Sequence, residues 1–215
     1  MQYHNPVLLK ESVDGLNIKE DGVYVDVTFG GGGHSREILS RLGPKGKLFG
    51  FDQDKDALQN TIEDPRFTLI HENFKFIKRF LRFYGVKKVD GILGDFGVSS
   101  HQFNEAERGF STRFDARLDM RMNQGSKLSA YEVINEYGEE QLKKLFYEYA
   151  DLKNAPKLAR LIVDARKEKP IESSEQLNDL LKPHLFKGKE NKILAQIYQA
   201  IRIEVNQEIE VLKDF

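Results

Sequence analysis

The rhythm of apolar positions changes once along this chain, near residue 100. Before that point, short β-branched and aromatic runs alternate with stretches of helical period. Val7, Leu8, Leu9 and Val13 predict a short amphipathic helix from Pro6. Strands are predicted at Val23 to Phe29, Lys47 to Phe51, Phe67 to His71 and Val89 to Leu93. Between them, 35–42, 54–62 and 74–84 read as helices. The first is stopped by Gly43-Pro44, and the last carries Phe74, Ile77, Leu81 and Tyr84 on one side. Four strand–helix alternations predict a parallel, doubly wound α/β sheet with right-handed crossovers.

Beyond that point the pattern is different. Residues 98–124 are rich in Ser, Gly, Asn, Arg and Phe without a period, which predicts a long loop. From Ser129 onward the spacing is helical. Leu142, Leu145, Phe146 and Tyr149 share one face, and Leu158, Ala159, Ile162 and Val163 another. Ser174 is placed to cap a helix ended by Pro183. Ile193, Ile197, Ile201, Val205, Ile209 and Leu212 predict one long helix over 191–212. The expectation is an all-α insertion over 103–190. Residues 1–102 and 191–215 would then form the sheet domain, with the last helix returning to the sheet.

Composition narrows the classes. The 215 residues are 40% hydrophobic and 31% charged, enough for one ordinary core or one domain carrying another. No apolar run is long enough to span a membrane, and Met1 to Pro6 does not read as a signal peptide. There are 0 cysteines, which removes disulfides, thiolate metal sites and a cysteine nucleophile, and points to a cytoplasmic protein. The net charge of −1 gives no global basic field, so any nucleic-acid surface must be a local patch.

The chemistry gathers at the predicted strand ends, where open α/β sheets hold ligands. Val23 to Phe29 runs into Gly30-Gly31-Gly32-Gly33, with His34-Ser35 opening a helix. A turn without side chains lets a ligand approach the backbone, and helix-start N–H groups favour an anionic group. Asp52 ends the second strand, about 20 residues past the glycines, where a carboxylate can accept both ribose hydroxyls of an adenosine. Phe74 is placed to lie against an adenine, with Asn73 nearby, and Asp95 faces the reacting end. Each also has an ordinary structural use: the glycines as a flexible turn, Asp52 as a helix cap, Phe74 in the core, His34 at the helix start. No second ligand stands at metal spacing from His34. Ser35 occupies the third position of the dinucleotide fingerprint, and no Gly-Lys-Ser or Gly-Lys-Thr follows, which excludes a P-loop. A cofactor with adenosine but no pyrophosphate fits better, namely S-adenosylmethionine, with its methionine end at the loop and at Asp26 or Asp95.

Five ordered motifs then carry a resemblance: Thr28 to Ser35, Asp95 to Gln102, Ala106 to Ser111, Leu118 to Met122, and Gln199 to Asn206. Together, from His4-Asn5-Pro6 onward, they resemble the MraW (RsmH) family. The resemblance implies a Rossmann-like class I S-adenosylmethionine-dependent methyltransferase sheet with an inserted all-α domain. It implies methylation of the N4 amine of a cytidine in the decoding region of 16S ribosomal RNA, within the small ribosomal subunit. It places cofactor contacts on Gly32, Gly33, His34, Asp52, Phe74, Asp95 and Gln102. Family members also continue beyond this C-terminus, so the last strands of the sheet are expected to be missing.

Within that resemblance, Asp95 is expected to orient the amine or the cofactor ammonium, with Phe96 or Phe110 packing near the base. A carboxylate accepting a hydrogen bond from the amine localises its lone pair and takes up developing charge. The absence of cysteine argues against the covalent route to cytosine C5 methylation. Arg108, Arg113, Arg117 and Arg121, in the loop leaving the active-site strand, are the expected RNA contacts. Lys75, Lys78, Arg79 and Arg82, beside Phe76, Phe80 and Phe83 and extended by Lys87 and Lys88, read either as a second RNA face or as a solvated helix face. The insertion is nearly neutral and would position substrate by shape or contact a second subunit in a homodimer. Two other classes remain open: a nicotinamide-dependent oxidoreductase, and a non-catalytic RNA- or ligand-binding module on a methyltransferase scaffold.

Overall fold

The structure is a computed structural model and describes residues 6–215. The His4-Asn5 motif start and the signal-peptide reading of residues 1–5 lie outside the described residues. The chain forms two compact units. One runs up to Ser100 and includes Glu210–Phe215; the other is His101–Ile209.

The sheet unit contains α1 (Leu9–Gly15), β1 (Val23–Asp26), α2 (Gly33–Arg41), β2 (Lys47–Asp52), β3 (Phe67–His71), α3 (Ile77–Phe83) and β4 (Gly91–Leu93). The strands lie in the order β3-β2-β1-β4, all parallel. The chain steps outward from β1 to β3, then crosses back to lay β4 on the other side of β1. The topological switch point therefore falls between β1 and β4, and a ligand crevice is expected beyond their carboxyl ends. Period-two alternation gives each sheet face its own core. Tyr24 and Leu48 pack with Val13 of α1 and with Ile38 and Leu39 of α2. Val25, Phe49, Phe51 and Ile70 pack with Ile77 of α3. Each such side chain contributes about 1.5–3 kcal/mol on burial.

Local details differ from the expectation. The β1 ladder stops at Asp26, but the chain stays extended. The Val27 N–H donates to Leu93 O on one side (2.9 Å), and the Phe29 N–H to Phe51 O on the other (2.9 Å). Residues Lys55–Asn60 form a 3₁₀ helix rather than an α-helix, because the Asp54 side chain accepts the Asp56 N–H and caps a tight turn. Residues Phe74–Phe76 make a 3₁₀ turn before α3. α3 ends where Gly85 takes φ +72°, with the Val86 N–H on Leu81 O and the Gly85 N–H on Arg82 O.

Beyond the sheet come α4 (Ser100–Asn104), a 3₁₀ turn at Ala106–Arg108, α5 (Ala130–Glu136), α6 (Glu139–Ala150), α7 (Ala155–Glu168), α8 (Ser174–Leu181), α9 (Glu190–Val205) and α10 (Glu208–Asp214). The expected loop over 98–124 thus holds two short helical turns. Ser173, not Ser174, caps α8: its hydroxyl accepts the Gln176 N–H. The Ser174 hydroxyl is buried, donating to Phe114 O and accepting the Ala116 N–H.

The single long helix expected over 191–212 is two helices. Asn206 breaks it, because its side chain accepts the Met122 N–H (2.7 Å) and donates to Met120 O (2.8 Å). Gln207 then turns left-handed at φ +51°. The stripe of α9 packs on α5 and α6. Residues 191–209 therefore belong with the helices, not with the sheet as expected, and only Glu210–Phe215 join the sheet unit.

Candidate active site

The glycine run opens at the carboxyl end of β1. Gly30 (φ +50°) and Gly32 (φ +74°) are left-handed, a conformation glycine adopts without steric cost. A Cβ on Gly32 would come within 2.9 Å of the Phe29 ring and 2.8 Å of Arg36 Nη1. Pro6 packs where a Cβ on Gly33 would stand. The loop is braced from outside: Asn60 Nδ2 donates to Gly30 O (3.0 Å) and Arg36 Nη1 to Gly31 O (2.7 Å). Gly32 is the N-cap of α2 and has no side chain to occupy the helix-start N–H groups.

His34 stands in the first turn of α2, only 6% exposed, and its Nε2 has no hydrogen-bond partner. A buried polar atom left unpaired in the protein commonly marks a ligand or a water. Asp26 is fully buried, and its carboxylate accepts the Ser35 hydroxyl (2.7 Å) and the Thr28 N–H (3.1 Å). Burial holds its pKa above the usual carboxylate range. Asp26 therefore shapes the loop and the helix start. The sequence placed it near a ligand's methionine end; in the structure it has no exposed surface.

Asp52 ends β2 and accepts the Gly30 N–H (2.8 Å) on one oxygen and the Asp54 N–H (2.8 Å) on the other. Desolvation raises its pKa to about 6 against these bonds. A carboxylate oxygen has two acceptor sites, so each retains one for an incoming hydroxyl. Asn73 is less available than expected: its amide donates to Gln53 Oε1 (2.8 Å), and its oxygen caps the Lys75 N–H.

β4 delivers Asp95. Its backbone N–H donates to the Thr28 hydroxyl (2.7 Å), which ties this strand end to that of β1, while the side chain stays exposed. The Phe96 ring folds back over Gly94, whose missing Cβ leaves the space, and packs on Phe74 with centroids 5.4 Å apart. Phe74 also meets Phe215 edge-on. Glycine loop, His34, Asp52, Phe74, Asp95 and Phe96 are thus all borne by one unit, on the carboxyl ends of its strands.

The MraW methylase family matches residues 1–215. This chain belongs to that family. It is 85% identical over 215 residues to the ribosomal RNA small subunit methyltransferase H of Christiangramia forsetii, covering 100% of this chain and 71% of that protein. The protein of the same name from Flavobacterium johnsoniae is 68% identical over the same coverage. That of Bacteroides fragilis is 57% identical over 212 residues, 99% of this chain and 70% of that one.

The remaining predicted residues of this methylase lie in the helical unit and divide sharply. Gln102 is buried on α4. Arg108 is buried too, donating to Arg121 O (3.0 Å) and Met122 O (3.3 Å) and lying over Phe110. Arg121 grips Asp119 through two bonds and donates to Ser126 O. These two arginines are committed to holding their own segment and are corrected from RNA contacts to structural ones. Phe110 is likewise core, not a platform for a base. Arg113 and Arg117 are exposed, Arg113 over the Phe103 ring at 4.9 Å.

Sequence reasoning missed Thr28, Asn60 and Arg36, whose side chains hold the loop and the Asp95 backbone. Thr28 was read as strand and Asn60 as plain helix; neither carries a periodic signal. Among the described residues no group of three or more His, Asp or Glu could hold a metal, and no helix is long and apolar enough to cross a membrane.

Proposed function

We propose that this methylase transfers a methyl group from S-adenosylmethionine to the N4 amine of a cytidine in small-subunit (16S) ribosomal RNA, acting in the cytoplasm. The observation that carries the cofactor assignment is the unpaired Nε2 of buried His34 beside a left-handed, side-chain-free loop. Orphan nitrogen, open helix start and half-occupied Asp52 carboxylate together fit the donor, with its adenosine hydroxyls at Asp52 and its methionine end at Gly32, Gly33 and His34. When bound, S-adenosylmethionine supplies an electrophilic methyl group on a sulfonium. The substrate class comes from the relatives, whose printed name is ribosomal RNA small subunit methyltransferase H.

The chain's own groups then do the following. Phe74 offers an aromatic face to the adenine, and Phe96, exposed beside it, offers one to a splayed base. The Asp95 carboxylate accepts a hydrogen bond from the exocyclic amine. This draws the nitrogen lone pair out of conjugation and receives the proton the amine sheds once the N–C bond has formed. The Thr28 hydroxyl fixes the backbone from which Asp95 projects. Arg113 and Arg117 contact RNA phosphates, and the family resemblance assigns a further cofactor contact to Gln102.

The test is mass mapping of methylated cytidines in small-subunit rRNA treated with this chain and labelled donor, beside Asp95→Ala. The expected result is one N4-methylcytidine with the parent chain and a rate lowered about 100-fold or more in the variant. Undiminished methylation by a folded Asp95→Ala protein would remove Asp95 from the chemistry. Calorimetry with S-adenosylmethionine against NAD separates this function from hydride transfer.

A further inference from the structure

The segment 73–89 carries six cations, Lys75, Lys78, Arg79, Arg82, Lys87 and Lys88, and no acidic residue, in a chain of net charge −1. Among the described residues none of the six forms an ion pair; Lys75 lies over Phe76 and Arg79 near Phe80. At about 100° per residue, Ile77, Phe80, Leu81 and Tyr84 turn toward the sheet. Ile77 sits in its core, Phe80 and Leu81 pack against that core partly buried, and Tyr84 packs on Phe49. The opposite arc brings Lys75, Lys78, Arg79 and Arg82 together with Phe76 and Phe83. Phe83 is 80% exposed and Phe76 39%. Phe83 meets the Tyr84 ring edge-on, and the rest of its ring faces water.

We propose that this face of α3 is a second RNA-binding surface that holds an unpaired strand of the substrate, with phosphates on the cations and bases stacked on Phe83 and Phe76. It rests on the reading of the chain as an RNA methyltransferase. Cations interleaved with exposed aromatic rings on one face match what a single strand presents: a charge at every residue and a π-face on every base. A second copy of the chain meeting this face symmetrically would set six cations against six. A membrane-surface helix segregates its apolar face from its charged one, and here the apolar face of α3 is already buried in the core.

The experiment uses the full chain and a fluorescein-labelled, mixed-sequence single-stranded RNA of about 20 nucleotides, titrated by anisotropy across a salt series. Phe83→Ala should weaken binding about tenfold with the salt dependence unchanged. Arg79→Gln with Arg82→Gln should flatten the slope of log K against log salt by about 1.4, roughly 0.7 per lost phosphate contact. S-adenosylmethionine affinity, read by calorimetry on the same proteins, should stay at the parent value and report that each variant is folded. RNA affinity and slope unchanged in both variants would overturn the proposal. So would binding to phosphatidylglycerol vesicles that the substitutions abolish while RNA binding persists. A parent chain giving no heat with S-adenosylmethionine would count against the methyltransferase reading instead, and the oligonucleotide titration would still decide the surface.

Discussion

The two units differ in what their buried polar side chains hold. In the helical unit, the buried polar side chains brace other segments of the same unit. Arg108 holds two carbonyls, Asn206 bridges to Met120 and Met122, and Tyr198 donates to Asn178 and Ser174. In the sheet unit, His34 is buried with a nitrogen unpaired, and Asp52 is half-buried with its pKa raised to about 6. Burial without a partner costs about 1–3 kcal/mol per group, a cost that a ligand on His34 Nε2 would relieve. Residue type alone therefore did not separate function from architecture. Arg108 and Arg113 are the same residue five positions apart, yet one is a strut and the other faces water.

The largest expected effect tests the loop. Gly32→Val places a β-branched residue at φ +74° and pushes its side chain into Phe29 and Arg36. The backbone conformation alone costs about 1–3 kcal/mol. S-adenosylmethionine binding should become undetectable by calorimetry in protein that still shows a cooperative thermal transition. A Gly32→Val chain with parental affinity would mean the loop is not the donor site.

Next comes the contrast between arginines. Arg108→Ala should lower the unfolding free energy in urea by about 1–3 kcal/mol, because two carbonyls lose their donor. Arg113→Ala should change it by less than about 0.5 kcal/mol while weakening RNA binding. Equal stability losses would erase the distinction between the two arginines.

The smallest effect is a pH dependence. Asp52 has its folded-state pKa raised to about 6, so its proton is retained as pH falls below that value. Ribose hydroxyls donate to the ionised form, so donor binding favours the charge and releases a proton below pH 6. Affinity should be flat above about 6 and weaken by up to about tenfold per unit below it. Calorimetry across pH 5 to 8 reads this, and Asp52→Asn should abolish the dependence. A profile of the same shape in that variant would assign the titration elsewhere.

Much of the sheet unit was legible because its signals are local. Tyr24 and Val25 alternate, the four glycines interrupt, and Asp52 and Asp95 close apolar runs; each reading needs only neighbours in sequence. The helical unit was legible as helices but not as a unit. The stripe from Ile193 to Leu212 keeps its period through Asn206, so nothing along the chain announces the break. That break exists because Asn206 finds Met120 and Met122, 86 and 84 residues away. The same holds for Arg108, whose partners lie a turn of loop away, and for Phe110, which periodicity could not assign to a core.

By itself, the chain's pattern determined the four parallel strands, the side-chain-free turn after the first of them, and the acidic residues at the strand ends. Tertiary structure decided which of those acids remain available. Each carboxylate accepts one bond per oxygen, but Asp26 is fully buried while Asp52 is partly exposed. It also decided that α9 packs with the helices. The physical reason is that hydrophobic period and turn propensity act over a few residues. Satisfaction of a buried polar group depends instead on partners that only the folded chain brings within hydrogen-bond reach.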